Sequence, residues 1–276
     1  MEIKTIKAYS LASGEDLVES LKETGFAVVI DHGIPDSMFE KTYKDVAEYF
    51  ASEDKFKDLF AADRQRGYYP MKSENAKGFS KKDLKEFYHL YPDMLDQSIP
   101  GGKDTWDLYR HMATLGHHLL TKINDNVDLQ FTEPLQTMAW NSPQTLFRFL
   151  HYPPIGDDAD GAVRAAAHED INLITLLPAA TYPGLQVKDS KGNWIFADLH
   201  VPKNAIIINA GDMLQEASGG YFKSTTHRVV NPTGLGATVS RYSMPMFIHP
   251  HSGVRLSEKY TAGEYLDERL RELGLK

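Results

Sequence analysis

The sequence predicts a mainly β fold with flanking helices, and three features of its pattern support this class. From Trp140 onward, short apolar runs alternate with Gly, Pro and Asp turns, which is typical of a barrel or a double-sheet jelly roll. Before Trp140, apolar residues recur mainly at helical spacing. After the β region, the capping-box sequence from Thr261 to Glu264 predicts one final helix.

The first 139 residues are predicted to form a helical or mixed region packed on the core. We expect a short amphipathic helix over 16–21 and a buried strand over 25–30, with the helix ending at Thr24-Gly25. Asp36 or Ser37 can cap a second helix that runs to Phe50. Apolar spacing over 106–126 predicts a third helix, whereas the polar and basic stretch 52–100 is predicted to be mostly loops.

The β core is assigned to residues 140–250, and residues 251–276 carry the C-terminal helix. Its expected strands lie at 146–152, 165–177, 184–187, 194–196, 205–209, 226–230 and 239–248. Side chains alternate between the two faces of a strand, so Arg148 and Tyr152 are expected on one face of the first of them.

The composition is that of an ordinary globular chain, with 276 residues of which 42% are hydrophobic. It contains no cysteine, so any metal must be held by histidines and carboxylates. The formal charge of -8 argues against nonspecific nucleic-acid binding or an anionic membrane surface. No apolar run is long enough to cross a bilayer and the N-terminus lacks a signal peptide's apolar core, so a cytoplasmic protein is expected.

One short stretch, His168-Glu169-Asp170, has the pattern of half a metal site. In an extended strand His168 and Asp170 point to one side and Glu169 to the other. A third imidazole would complete a two-histidine, one-carboxylate set, which suits non-haem Fe(II) and leaves coordination positions open. The histidines considered for this role are His200, His227, His249 and His251. His227 is favoured because it begins a strand-like run that must pair near His168.

A second pair, Arg241 and Ser243, lies two residues apart on a predicted strand and therefore on one face. A buried guanidinium is costly unless it meets an anion, and beside a hydroxyl it can grip a carboxylate such as that of 2-oxoglutarate. The alternative is a buried salt bridge to Asp198 or Asp212, and the pair alone, without the upstream metal motif, favours that salt bridge.

Taken in order, these motifs resemble the Fe(II)/2-oxoglutarate-dependent dioxygenases of the isopenicillin N synthase type. The resemblance rests on Tyr152-Pro153, His168-Glu169-Asp170, 173–177, 184–187, 209–212, 224–229 and 241–243, and in the N-terminal half on Thr24-Gly25-Phe26, 32–35, Gly67-Tyr68 and Lys85-Glu86. It covers nearly the whole chain. Two departures are Leu150, where many plant members carry asparagine, and Leu177-Pro178 in place of Leu-Gln.

The resemblance implies a double-stranded β-helix (jelly-roll or cupin-like) core with a helical N-terminal region. It further implies Fe(II) on His168, Asp170 and His227, with O2 as oxidant. The 2-oxoglutarate carboxylate would then lie on Arg241 and Ser243 with help from Tyr152.

The function expected from this resemblance is oxidation of a small molecule by hydroxylation, desaturation or cyclisation, coupled to decarboxylation of 2-oxoglutarate to succinate. The alternatives are an Fe(II) oxidase of the same fold that needs no 2-oxoglutarate, a scaffold protein without chemistry, and a zinc hydrolase. The Arg-x-Ser pair does not separate the first alternative from the dioxygenase.

The substrate is expected to be an amino acid or a natural-product intermediate, with no nucleic acid or membrane partner and a monomer or weak homo-oligomer. Arg148 is the best candidate for holding an anionic group, although a core salt bridge explains it equally well. Arg66, Tyr68 and Phe87 are further candidates, as parts of a loop that lines the substrate mouth, although the composition of this stretch favours a solvated surface.

Overall fold

The computed structural model describes residues 2–60, 65–74, 82–94, 99–155, 162–199 and 201–272. In chain order, the strands are β1 (Thr5–Lys7), β2 (Phe26–Ile30), β3 (Gly67–Tyr69), β4 (Glu86–Leu90), β5 (Leu146–Tyr152), β6 (Ala165–His168), β7 (Ile174–Pro178), β8 (Leu185–Lys188), β9 (Trp194–Phe196), β10 (Ile206–Ala210), β11 (His227–Val229), β12 (Arg241–Ser243) and β13 (Met246–Ile248). The α-helices are α1 (Ser13–Thr24), α2 (Asp36–Ala51), α3 (Gly102–Asp125), α4 (Leu135–Ala139), α5 (Asp212–Ala217) and α6 (Ala262–Glu272).

The strands form two sheets that face each other as a double-stranded β-helix. Across the described ranges, the larger sheet runs β1-β2-β10-β7-β13-β5-β4-β3, with β12 also paired to β5, and the smaller runs β6-β11-β8-β9. The expected jelly-roll class is therefore confirmed. The predicted strand over 239–248 is two strands, because Met244-Pro245 interrupts it and Pro245 has no N–H to donate to a ladder.

The N-terminal region is built into the larger sheet as well as packed on it. Strand β2 pairs with β10, and β4 pairs with β5 over its whole length. The prediction of loops over 52–100 was wrong at β3 and β4: all five residues of β4 are buried, including Glu86 and His89. Because polar residues such as Glu86 and His89 are buried in β4 with partners distant in sequence, the strand does not show the alternation of apolar and polar residues that would predict it.

The predicted helices are present, but the predicted cap of the second was wrong: α2 begins at Asp36, directly after Pro35, and neither Asp36 nor Ser37 caps it. Helix α1 ends where Gly25 takes a positive φ of 73°, and the Gly25 N–H donates to the Leu21 carbonyl. At the start of α6, the Thr261 N–H donates to Glu264 Oε2 at 2.8 Å, and the Glu264 N–H donates to Thr261 Oγ1 at 3.3 Å. This is the predicted capping box.

Helices α1, α2 and α3 pack against strands of the larger sheet, and α4 packs against α3. Most of the hydrophobic core lies between these helices and that sheet. The inner faces of the two sheets enclose smaller apolar clusters, one of which contains Leu150, Tyr152, Ala165 and Val229. Among the described residues, no helix has the combination of length and apolar character needed to cross a membrane.

Candidate active site

Two histidines lie side by side at one end of the paired strands β6 and β11 in the smaller sheet. His168 is the last residue of β6, His227 is the first residue of β11, and the antiparallel pairing places them directly opposite one another. Their ring centroids are 4.4 Å apart. Asp170 follows two residues after β6 and is buried beside them. The ligand atoms of these three residues lie within 4.8 Å of one another, a grouping that fits a metal ion.

Hydrogen bonds to the backbone turn both imidazoles toward the same point. His168 Nδ1 lies 2.8 Å from the Ala166 carbonyl, and His227 Nδ1 lies 3.1 Å from the Thr225 carbonyl. Because a carbonyl only accepts, each Nδ1 carries the proton and each Nε2 offers a lone pair. Such second partners are what fix the tautomer of metal-binding histidines.

Asp170 is oriented in the same way through its two oxygens. Its Oδ2 accepts from Thr175 Oγ1 at 2.6 Å and from Asn209 Nδ2 at 2.8 Å. Its Oδ1 is left facing the imidazoles, 3.8 Å from His168 Nε2 and 3.7 Å from His227 Nε2. These distances are too long for hydrogen bonds, and a small contraction brings all three donors within bonding reach of one cation.

The electrostatics of the cluster also favour a cation. Burial, followed by the neighbouring His227, lowers the pKa of His168 to about 4, so its imidazole is neutral and able to bind metal. Burial alone would raise the pKa of Asp170, but the histidines and the bonds from Asn209 and Thr175 outweigh it and lower that pKa. The carboxylate is therefore charged.

The sequence predicted His168 and Asp170 on one strand, where alternation would turn both side chains to the same side. The structure corrects this placement. Strand β6 ends at His168, and Glu169 and Asp170 belong to the turn that follows. Glu169 is nevertheless held apart from the cluster, because its Oε1 accepts a hydrogen bond from the Thr226 hydroxyl. Of the other histidines considered, His200 lies outside the described residues, while His251 bonds to the Trp140 carbonyl away from the site.

A cavity of about 440 Å³ opens beside the cluster, with His168 and Asp170 in its wall. Strands β3 and β4 supply one side through Tyr69 and Phe87, whose rings are stacked with centroids 4.4 Å apart. Helix α6 supplies the opposite side through residues that include Leu266 and Arg269. A volume of this size is in the range of small-molecule sites.

Arg148 lies in the cavity wall between two aromatic rings. Its guanidinium carbon is 4.6 Å from the Phe87 ring centroid and 5.4 Å from that of Phe247. Arg148 Nε donates to His89 Nε2 at 2.8 Å, and His89 Nδ1 in turn donates to the Gln65 carbonyl at 2.9 Å. Burial, and then Arg148, lowers the pKa of His89 well below its usual value, which keeps it a neutral acceptor.

Beside Arg148, a buried lysine is balanced by two carboxylates. Lys85 Nζ lies 2.9 Å from Glu74 Oε2 and 2.8 Å from Asp83 Oδ2. Glu74 Oε2 is also 3.4 Å from Arg148 Nη1, so it serves both cations. The Asp83 Oδ1 accepts the Ala166 N–H at 3.1 Å, which ties this network to the strand that carries His168.

Two predicted cavity residues lie elsewhere. Tyr68 faces the helices because alternation along β3 gives the cavity side to Tyr69, and its hydroxyl donates to Glu86 at 2.5 Å. Arg66 makes two bonds to the Asp93 carboxylate, at 2.9 and 2.7 Å, and is not in the cavity wall. Phe87 and Arg148 do line it. The cavity residues Glu74, His89 and Arg269 carried no sequence signal beyond being polar. His249, one of the histidines considered as a ligand, lines the cavity but is not part of the His168, Asp170 and His227 cluster, and Lys85 stands out in the sequence only through the Lys85-Glu86 motif.

The predicted anion-binding pair lies deeper between the sheets. Strand β12 pairs with β5 so that Arg241 is opposite Tyr152 and Ser243 is opposite Leu150. The Arg241 guanidinium carbon is 5.2 Å from the Tyr152 ring centroid, and Arg241 Nε donates to the Tyr182 carbonyl at 2.7 Å. Asp198, one of the two acids considered as an alternative partner, lies 3.8 Å from Arg241 Nη2, and the buried Arg241 Nη1 has no hydrogen-bond partner among the described residues.

A double-stranded β-helix with two histidines and one carboxylate at its mouth defines the class of non-haem Fe(II) oxygenases. Comparison with known proteins agrees. Residues 142–250 match the model of the 2OG-Fe(II) oxygenase superfamily, and residues 8–110 match that of the non-haem dioxygenase in morphine synthesis N-terminal region.

Similar proteins cover essentially the whole chain. A solved Shewanella oneidensis structure described as an oxygenase is 46% identical with a TM-score of 0.85, and covers 100% of both chains. A Caulobacter crescentus structure of the 2OG-Fe(II) oxygenase family is 31% identical with a TM-score of 0.82, over 98% of both chains. The 2-oxoglutarate-dependent dioxygenase citB of Monascus ruber is 28% identical over 92% of this chain and 83% of its own length.

This chain belongs to the 2OG-Fe(II) oxygenase superfamily, and it is a 2-oxoglutarate-dependent oxygenase that uses Fe(II) and O2. The family relationship favours this activity over the oxidase that needs no 2-oxoglutarate.

Proposed function

We propose that this enzyme oxidises a small, carboxylate-bearing molecule in the 440 Å³ cavity, by hydroxylation or by desaturation or ring closure. The observation that carries the proposal is the placement of Arg148. Its guanidinium lies in the wall of the same cavity onto which His168 and Asp170 open. A substrate anchored at Arg148 would therefore present its carbon skeleton to the metal centre.

His168 Nε2, His227 Nε2 and Asp170 Oδ1 would hold the Fe(II), since these are the atoms that their hydrogen bonds leave facing one point. When bound, Fe(II) with 2-oxoglutarate supplies the oxidising chemistry, and 2-oxoglutarate leaves as succinate and carbon dioxide. The protein's own part is to keep the imidazoles neutral, to orient the carboxylate and to leave one side of the cluster open to the cavity.

Arg241, Ser243 and Tyr152 would bind the distal carboxylate of 2-oxoglutarate. The support is the buried Arg241 Nη1, which has no hydrogen-bond partner in the part of the chain that the structure describes, and the long 3.8 Å separation between Arg241 Nη2 and Asp198. A buried donor without an acceptor costs free energy, and a ligand carboxylate would remove that cost.

Arg148 would hold the substrate carboxylate. The His89 bond holds the guanidinium through Nε, and the guanidinium carbon lies over the Phe87 and Phe247 rings. The two Nη groups would therefore meet the ligand, although Nη1 also has a long contact with Glu74. Glu74 offsets its charge only at 3.4 Å and is already bonded to Lys85 at 2.9 Å. An amino acid or a natural-product intermediate of similar size fits this arrangement.

The test is a screen of small carboxylic acids with the Fe(II)-loaded enzyme, in which succinate and oxidised product are measured together. We expect an active acid to give both in equal amounts. Oxidised product without succinate would contradict the dependence on 2-oxoglutarate, and activity confined to uncharged compounds would contradict the role of Arg148.

The expectations of a cytoplasmic protein, and of a monomer or weak homo-oligomer, stay predictions. Light scattering on the purified protein would test the oligomeric state.

A further inference from the structure

A second arginine is fully buried beside the predicted cosubstrate site. Arg164 immediately precedes β6 and is 0% exposed. Its guanidinium carbon lies 6.0 Å from the Tyr152 ring centroid, and that of Arg241 lies 5.2 Å from the same ring. The two guanidinium groups therefore share one aromatic neighbour between the sheets.

The hydrogen bonding of Arg164 is incomplete. Its Nη2 donates to the Val239 carbonyl at 3.2 Å, but its buried Nε and Nη1 have no partner among the described residues. The Arg241 Nη1 is in the same condition. Three donor nitrogens on two neighbouring arginines thus lack an acceptor, whereas nearly all buried donors in folded proteins have one.

The charges in this region are also unbalanced. Arg164 forms no ion pair with any carboxylate that the structure describes, and Asp198 is the one acid found near Arg241, at 3.8 Å. Lys85 is also a buried cation, but its charge is already balanced by ion pairs with Glu74 and Asp83. Burial, and then the charge of Arg241, lowers the pKa of Arg164 to about 10, which still leaves it protonated at neutral pH.

We propose that Arg164 is a second cationic residue of the cosubstrate site and binds the distal carboxylate of 2-oxoglutarate together with Arg241. A carboxylate has two oxygens and about four acceptor positions, enough for the three unpartnered nitrogens. Its negative charge would offset the second buried guanidinium, which Asp198 alone does not. This inference rests on the proposed role of Arg241, and adds a residue to which the motifs gave no pointer.

The experiment measures binding to the Mn(II)-loaded protein, which avoids turnover. The probes are 2-oxoglutarate and 2-oxopentanoate, which has the same chain length and keto acid but no distal carboxylate, and affinities are measured by calorimetry or by competition. The variants are Arg164→Met, Arg164→Lys, Arg241→Met as a comparator and Arg255→Met as a control. Arg255 is exposed and bonds only to nearby carbonyls.

We expect Arg164→Met to weaken 2-oxoglutarate binding roughly ten- to hundred-fold, the loss of a charge-assisted bond, while 2-oxopentanoate changes less than about threefold. Arg164→Lys should recover part of the loss, and Arg255→Met should match wild type. Unchanged 2-oxoglutarate affinity in Arg164→Met, or equal losses for both acids, would overturn the proposal.

Melting temperatures and Mn(II) content identify any variant that fails to fold. If Arg164→Met unfolds, Arg164→Lys carries the test, because it keeps the charge but cannot form a planar two-pronged contact and should lose affinity for 2-oxoglutarate alone. The proposed function fails separately, if the wild-type protein does not prefer 2-oxoglutarate to 2-oxopentanoate.

Discussion

Replacing Asp170 by asparagine should weaken metal binding far more than replacing its neighbour Glu169 by glutamine. The two changes are matched, since each exchanges a carboxylate for an amide of nearly equal size. Asp170 Oδ1 faces the histidines, whereas Glu169 is bonded to Thr226. Only the first change therefore removes a charge and an oxygen from the cluster.

The size of the effect follows from the bonds to Asp170 Oδ2. If the asparagine oxygen keeps the bonds from Thr175 and Asn209, its amide nitrogen faces the metal and cannot bind it. If the oxygen faces the metal, the amide nitrogen meets the Asn209 amide, and a charge-assisted bond worth about 1.5–3 kcal/mol is lost. With the lost ligand charge added, we expect about a hundredfold weaker binding.

Thr175→Val provides an intermediate case, because it removes one donor to Asp170 and leaves all three ligands in place. Loss of such an outer partner typically costs about ten- to hundred-fold in metal affinity, and the lower end is expected while Asn209 remains. Mn(II) titrations followed by electron paramagnetic resonance of the free ion would measure all three variants, with circular dichroism as a check on folding. Equal losses from Glu169→Gln and Asp170→Asn, or no loss from either, would refute this account of the turn after β6.

Three further outcomes are expected. Arg148→Ala should raise the apparent KM for substrate about tenfold or more without changing metal content, as for loss of a charged contact; unchanged kinetics would assign Arg148 to the wall alone. Gly25→Ala should lower stability by about 1–3 kcal/mol in urea unfolding, since φ is 73° and a Cβ would lie 2.2 Å from Thr225 Oγ1; a wild-type midpoint would contradict this. Residues 140–250 alone should not fold, because β10 and β5 would lose β2 and β4; a cooperative melt of that fragment would show a separable core.

The sequence predicted the structure best for those strands and helices whose residue pattern depends only on the element itself. Strand β5 has the predicted bounds, α1 ends at the predicted Gly25 and α6 begins at the predicted capping box. The metal cluster was also predictable, although Asp170 reaches it from a turn and not from the strand. What fixed the choice of His227 was the pairing of β6 with β11, and the order of motifs along the chain anticipated that pairing.

Residues whose partners are distant in sequence could not be found in this way. Glu74, Lys85 and Arg148 come from separate segments, and their charges are explained only by the folded structure, in which Lys85 lies 2.9 Å and Arg148 3.4 Å from Glu74. Arg164 gave no signal because nothing near it in sequence distinguishes a buried arginine from an exposed one. The same limit applies to Tyr68 and Tyr69. Strand β3 has only three residues, too few for the sequence to show which of its faces points into the cavity.

The origin of the cavity wall explains why family membership predicts the reaction better than the substrate. The metal cluster lies on β6, the turn after it and β11, and the Arg241 pair lies on β12, all within the matched oxygenase segment 142–250. Arg148 and its neighbour Phe247 also lie in that segment, but its other partners do not: His89 and Phe87 come from β4, and Glu74 from the chain before it. Helix α6, beyond residue 250, closes the other side. Changes in these flanking segments can therefore alter what the cavity accepts while the metal centre stays intact, so substrate identity has to be sought in the contacts around Arg148.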